Sequence, residues 1–171
     1  MITYSRTTLN SELSRVETND CSVIALANAF DISYDESHEI CKTQLYRKNR
    51  KGVLTYHLID FLDKCQINGK KATEIKYEPV QVQRTIRQMR NYWYTEEKIT
   101  ISETLELYTK RGNKYSRMTV GSFIKQNDKG TYIINVKGHV FVVKDSVVFG
   151  NFEDYSSLKK RVISAYKIES I

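Results

Sequence analysis

Apolar residues recur every three or four positions through the first part of the chain, a period that predicts helices. The first helix begins near Asp20, and its many alanines are typical of a helix buried inside a domain. A capping box that starts at Ser33 predicts a second helix over about 34–46. A third apolar stripe predicts a helix over about 55–65, whereas residues 1–17 predict a loop or a short strand.

The pattern changes to short runs of β-branched and aromatic residues near the C-terminus. Asp145-Ser146 separates two of these runs and predicts a two-residue hairpin turn. Thr119 is expected to cap a short helix that continues through Gln126. Helices first and an antiparallel meander last favour the α+β fold class. The strand-like runs lie at 131–136, 139–144, 146–149 and 161–168.

The middle of the chain combines arginines with aromatic residues. A helix is predicted over about 80–92, with Arg84, Arg87 and Arg90 on one face and Tyr92-Trp93-Tyr94 after them. Arginines beside aromatic rings are suited to single-stranded nucleic acid. A solvated arginine face and a buried Trp93 on an ordinary amphipathic helix explain the same pattern. Strands are predicted at about 72–79 and 98–109, with a turn at 111–113.

Length and composition narrow the class of protein. A chain of 171 residues can bury a core as one domain, predicted over 1–171. The net charge of +7 suits non-specific contact with an acidic partner such as nucleic acid. The polar N-terminal residues lack the apolar region of a signal peptide, and no apolar run approaches the roughly 20 residues that span a bilayer. These features, with an odd set of three cysteines, predict a cytoplasmic protein with free thiols and no membrane partner.

Cys21 stands at the start of the first predicted helix, where a thiol can become a nucleophile. The unpaired amides and the macrodipole of a helix N-terminus favour the thiolate, and a nearby imidazolium favours it further. Asp20 acts in the opposite direction, so a partner histidine has to dominate. The alternative is that Cys21 is a small buried apolar residue on an amphipathic helix.

His139 is the best candidate for that partner, because it begins a strand-like apolar run that fixes its orientation. His38 and His57 lie on predicted helices among core-like residues. His38 and Cys41 form an H-x-x-C pair, but no second pair follows, so the pattern does not favour zinc. His139 as a histidine that is simply satisfied at a strand start remains the alternative.

A third group should orient the imidazole, and another should bind the oxyanion. The register of the predicted hairpin places Asp154 diagonally from His139, and a bulge at Gly150 would bring Asn151 to the same side. Both residues are candidates, and Asn151 is favoured. For the oxyanion, the candidates are the Cys21 backbone amide and the Asn19 side chain, which could equally cap the helix.

Two stretches together carry a family pattern. NDCSVIALANAFDISYDESHEI, from Asn19, has an Asp-Cys pair at the start of an alanine-rich helix, and Arg50-Lys51-Gly52-Val53 follows it. TVGSFIKQNDKGTYIINVKGHVFVVKDSVVFGN, from Thr119, has a short helix, a Lys-Gly-x-Tyr strand and a Gly-His strand. In content and order, these stretches resemble a group of papain-like cysteine peptidase-fold proteins common in bacteriophages, over about half the chain.

The resemblance implies a papain-like α+β fold with a helical first half packed on a small antiparallel sheet. It also implies a viral cysteine hydrolase that uses Cys21 and His139 on a peptide or protein substrate, without a metal or organic cofactor, in the host cytoplasm or the virion. Two positions differ: Gly150 replaces a common aspartate, and Arg15 replaces the usual glutamine. Two alternatives stay open: an inactive papain-like binding or structural phage protein, and a basic nucleic-acid-associated protein.

Overall fold

The computed structural model describes residues 3–6, 11–75, 79–90, 93–104, 108–111, 114–150 and 158–171, and its architecture is α+β. The described residues form five helices: α1 (Glu12–Val16), α2 (Cys21–Phe30), α3 (Tyr34–Thr43), α4 (Thr55–Leu62) and α5 (Val120–Gln126). They also form eleven strands: β1 (Thr3–Arg6), β2 (Gln66–Ile67), β3 (Lys70–Glu74), β4 (Pro79–Arg90), β5 (Trp93–Thr104), β6 (Tyr108–Arg111), β7 (Lys114–Arg117), β8 (Thr131–Val136), β9 (His139–Lys144), β10 (Val147–Gly150) and β11 (Val162–Ser170).

Seven strands form the main sheet, in the order β1-β10-β9-β8-β11-β3-β2. Six of them are antiparallel to their neighbours, and β1 joins the edge parallel to β10. The pairs β4–β5 and β6–β7 form separate two-stranded sheets. No helix in the described part of the chain is long and apolar enough to cross a membrane.

The main sheet is covered on both faces. Helices α2, α3 and α4 pack on one face, where residues such as Phe30 and Leu62 meet Val142 and Tyr166 of the sheet. Helix α5 packs on the other face, where Phe123 meets residues that include Phe141. Because the central strands are covered on both faces, β8 and β9 are apolar almost continuously instead of alternating.

Local signals at several predicted boundaries are confirmed. The Ser33 hydroxyl accepts a hydrogen bond from the Glu36 amide at the start of α3, and Thr119 caps α5 in the same way. Asp145 and Ser146 have φ values of 46° and 67°, and Lys144 pairs with Val147 across the predicted two-residue turn. The segment predicted as a loop or short strand contains both β1 and the short helix α1.

The helix predicted over about 80–92 is wrong, because residues 80–90 belong to strand β4, which pairs with β5 along its whole length. Val80, Val82 and Ile86 fit the two-residue period of a strand as well as a helical stripe, and all three are β-branched. Pairing with the twelve-residue strand β5 favours the strand over the helix. Since a spacing of three does not place residues on one side of a strand, the predicted arginine face is lost with the helix.

Candidate active site

Cys21 is the first residue of α2, the most buried of the described helices. Eight of the ten residues of α2 are buried, and the helix packs on β8, β9 and β10. Cys21 itself is half-buried, so its sulfur lies at the edge of the core. The small side chains that predicted a central helix allow α2 to approach the sheet closely, and this packing presents Cys21 to the start of β9.

The Cys21 thiol lies in hydrogen-bonding contact with the side chain of His139. His139 is the first residue of β9, and the next residue of that strand contributes the Val140 backbone amide as a second partner of the sulfur. The Ser22 hydroxyl is a third partner. A helix start and a strand start therefore meet at one sulfur atom.

Electrostatics distinguish Cys21 from the other two cysteines. Burial by itself raises the pKa of the Cys21 thiol, but the hydrogen bond and charge of His139, with the Val140 amide, outweigh it and hold the pKa below its ordinary value. Burial raises the pKa of Cys41 to about 12 and the pKa of Cys65 to about 11. Because the thiolate is the nucleophilic form, we expect thiol reactivity near neutral pH to be highest at Cys21.

A tight turn and a ring contact hold His139 in place. Gly138, in the turn between β8 and β9, has φ +75°, a left-handed value that glycine adopts without the cost of a Cβ. The turn pairs His139 with Val136. The His139 ring also stacks on Phe141, with centroids 5.9 Å apart and planes 28° from parallel.

The two residues before Cys21 are each tied to another part of the chain. Asp20 is 9 % exposed, and its carboxylate accepts a hydrogen bond from the Tyr34 hydroxyl at 2.8 Å. Within the described chain it caps no amide of α2. Asn19 lies in the left-handed region, with φ 55°, and its Nδ2 donates to the Arg50 carbonyl at 3.1 Å. These contacts fix the chain on its way into α2.

A buried charged cluster contacts the chain just before Asn19. It consists of Glu17, Arg47 and His38. Arg47 Nη2 donates to Glu17 Oε2 at 2.8 Å and to the Thr18 carbonyl at 3.2 Å. His38 Nε2 lies 3.2 Å from Glu17 Oε1 and 3.1 Å from Arg47 Nη1. The Arg47 hydrogen bond, opposed in part by burial, lowers the pKa of Glu17. The carboxylate is therefore held ionised within the cluster.

Sequence reasoning missed this buried cluster. Arg47 belongs to a run of basic residues whose later members, Lys48, Arg50 and Lys51, are exposed, whereas the side chain of Arg47 is 1 % exposed. Nothing in the local pattern distinguishes the buried cation from the exposed ones. The only available signal is that Glu17 precedes the Asp-Cys pair, and that signal is weak.

The remaining site residues predicted from the sequence are Asn151, Asp154 and Asn19. Asn151 and Asp154, the two candidates for orienting His139, lie outside the described residues. Asn19, predicted to hold the oxyanion, stands two residues before the thiol with its side-chain amide engaged by Arg50. Among the described residues, no group of three or more His, Cys, Asp or Glu side chains could hold a metal ion.

Comparison with known proteins adds no relative to this arrangement: no family model, no curated protein and no solved structure matches the chain.

Proposed function

We propose that the protein is a cysteine hydrolase with a papain-like arrangement of nucleophile and base. The observation that carries this proposal is the contact between Cys21, at a helix start, and His139, at a strand start, with the pKa of the thiol held low. A nucleophile within hydrogen-bonding reach of a general base is the common requirement of thiol hydrolases. The chain order of cysteine before histidine and the helix packed on an antiparallel sheet also support a papain-like fold of the phage type.

The proposed reaction is acyl transfer from a peptide, amide or isopeptide bond to water. The Cys21 thiolate attacks the carbonyl carbon and forms a tetrahedral intermediate, and the Cys21 backbone amide at the start of α2 stabilises its oxyanion. The carbon–nitrogen bond breaks, and the imidazolium of His139 gives its proton to the leaving amine. Water then attacks the thioester while His139 accepts a proton; the carbon–sulfur bond breaks, which releases the acid and restores the Cys21 thiolate beside the His139 imidazolium.

A second candidate function is binding without turnover by the same fold. The observation that favours it is the Asn19 side chain, which donates to the Arg50 carbonyl. With one of its two N–H groups used in that bond and its side chain tied to Arg50, Asn19 has a single N–H left for the oxyanion beside the Cys21 amide. Loss of one oxyanion donor costs roughly 10²–10³ in rate in enzymes where it has been measured.

Alkylation of the native protein tests the nucleophile–base pair without knowledge of the substrate. Iodoacetamide at neutral pH should label Cys21 far faster than Cys41 and Cys65, as followed by peptide mass spectrometry. His139→Ala should remove that preference. Equal, slow labelling of all three thiols would overturn the proposal.

Turnover distinguishes the hydrolase from the binding protein. A library of fluorogenic peptide amides and an isopeptide-linked substrate should be cleaved by the wild type and left intact by Cys21→Ala. Rapid, His139-dependent alkylation without cleavage of any substrate would support the binding protein instead.

A further inference from the structure

The surface where α3 leads into α4 carries three aromatic rings that are close together. Tyr46 is 71 % exposed and Tyr56 is 62 % exposed. His57 lies near both, with ring centroids 5.1 Å from Tyr46 and 4.1 Å from Tyr56. We refer to these three side chains as the ring cluster. Two large rings with so much exposed area are available for contact with another molecule.

The position of Tyr46 is unfavourable for a tyrosine. Its φ is 54°, in the left-handed region, and the Arg47 amide after it donates to the Cys41 carbonyl at 2.9 Å. Tyr46 stands two residues beyond Gln44, the C-cap of α3, and this bond closes the loop that follows the helix, at a left-handed position that glycine adopts without the cost of a Cβ. A bulky residue there has a conformational cost, and at 71 % exposure its ring gains little from burial. The strain therefore indicates a role for the ring outside the folded core.

Three cations follow in the same loop, on a turn whose backbone is anchored. Lys48, Arg50 and Lys51 are exposed, and the Lys51 amide donates to the Lys48 carbonyl at 3.0 Å. The Arg50 amide donates to Glu17, and the Arg50 carbonyl accepts from Asn19. We refer to residues 48–51 as the cationic turn. Among the described residues, no carboxylate forms an ion pair with its three cationic side chains.

We propose that the ring cluster and the cationic turn form a binding site for single-stranded nucleic acid. Unpaired bases would stack on Tyr46 and Tyr56, and the phosphates beside them would pair with the cationic turn. The combination favours a single strand over a duplex, because the faces of paired bases are not available to protein rings. The net charge of +7 adds a long-range attraction for the same ligand.

A cleft of about 230 Å³ beside the rings supplies polar groups for a base edge. Tyr46 and His57 line it together with Gln44, Phe61, Cys65 and the ion pair between Lys64 and Asp60. The amide of Gln44 can both donate and accept, and the carboxylate of Asp60, which already accepts from Lys64, can accept from the exocyclic amine of a base. The site goes beyond the proposed hydrolase function, since none of its steps uses Cys21 or His139.

Fluorescence anisotropy with a labelled oligonucleotide of about twelve nucleotides tests the proposal on the full chain. The wild type should bind the single strand with a Kd of roughly 10⁻⁴–10⁻⁶ M near physiological salt, and the matching duplex more weakly. Cys21→Ala should bind equally well. The Cys21→Ala variant therefore tests the nucleic-acid site separately from the hydrolase proposal, because either proposal can fail while the other holds.

Charge variants test the cationic turn. The triple variant K48Q/R50Q/K51Q should weaken binding at least tenfold and reduce the slope of log affinity against log salt by about two, or roughly 0.7 for each lost cation. The matched control is K125Q/K159Q/K160Q, which removes the same charge. Its residues are exposed and belong to α5 or to the segment beside it, on the opposite face of the main sheet from α3 and α4. An equal loss in both triple variants would overturn the site.

Ring variants test stacking. Tyr46→Ala with Tyr56→Ala should weaken binding at least fivefold, in line with the measured worth of a stacked base. Tyr46→Gly should also weaken binding, yet its thermal midpoint should be equal to or above that of the wild type, since glycine suits the left-handed backbone. Tighter binding of the duplex, tighter binding of an acidic peptide, or unchanged affinity in the ring variants would each overturn the proposal.

Discussion

Arg47 and Glu17 form a buried ion pair beside the segment that leads into Cys21, with Nη2 and Oε2 2.8 Å apart and side-chain exposures of 1 % and 9 %. The same guanidinium holds the Thr18 carbonyl. Arg47 thus binds the side chain of Glu17 and the backbone of Thr18. Because Cys21 follows three residues later, this pair fixes the path of the chain into the candidate nucleophile.

Loss of Arg47 should destabilise the fold strongly. Arg47→Met would leave the Glu17 carboxylate with only His38 and the Arg50 amide beside it, and the expected loss is about 1.5–3 kcal/mol in the free energy of unfolding. Urea unfolding at neutral pH measures it. Lys42→Met is the matched control, since Lys42 pairs with Glu39 on the exposed surface, where a pair is worth about 0–1 kcal/mol. Similar losses in both variants would contradict a buried, paired Glu17.

The same pair predicts how stability depends on pH. Since the pKa of Glu17 is lowered in the folded state, its contribution is fully present above the ordinary glutamate value of 4.5 and is lost as the pH falls through the folded value. The difference in unfolding free energy between the wild type and Glu17→Gln should therefore be constant near neutral pH and shrink below about pH 4.5. A difference that stays constant through the acid range would show that Glu17 does not titrate with a lowered pKa.

The rate of Cys21 alkylation should follow a pH profile that His139 controls. In the wild type, reactivity should fall as the pH drops through a midpoint below the ordinary thiol value of 9.0. In His139→Ala, burial and the contacts with Val140 and Ser22 remain while the largest opposing contact is lost, so the midpoint should move upward. Lys125→Ala, on the far face of the sheet, should leave the profile unchanged. An unchanged midpoint in His139→Ala would remove the histidine from the site.

The hydrogen bond from Tyr34 to Asp20 should contribute measurably to stability. Tyr34→Phe keeps the ring but leaves the buried Asp20 carboxylate without this donor, which should cost about 1–3 kcal/mol. Tyr56→Phe is the control, because its hydroxyl belongs to an exposed side chain and its loss should change stability by about 0.5 kcal/mol or less. Chemical unfolding of the two variants side by side checks the prediction. Equal stability of both would mean that Asp20 finds another donor.

Much of the fold could be predicted because its signals are local. The caps at Ser33 and Thr119 and the two-residue turn at Asp145 act within three or four residues of themselves. The α+β class followed from the order of these elements. The segment 80–92 could not be assigned this way, because its apolar spacing fits a helix and a strand alike and only the partner strand distinguishes them.

The candidate site likewise has a part that could be predicted from the local sequence and a part that could not. Cys21 at a helix start and His139 at a strand start could be predicted, because each depends on the element that contains it. The buried position of Arg47 could not, because neighbouring cations in the same run are exposed and burial depends on where Glu17 lies.

By itself, then, the sequence determined the local elements, the fold class and the two side chains that could act together, since caps, turns and periodicity depend on near neighbours. Only the tertiary structure decided that the Cys21 thiol and the His139 imidazole share a hydrogen bond. It also decided that a buried ion pair holds the segment before Cys21. The physical reason is that the pKa of a thiol and the burial of a charge depend on groups distant in sequence, which only the packing of α2 against the sheet brings together.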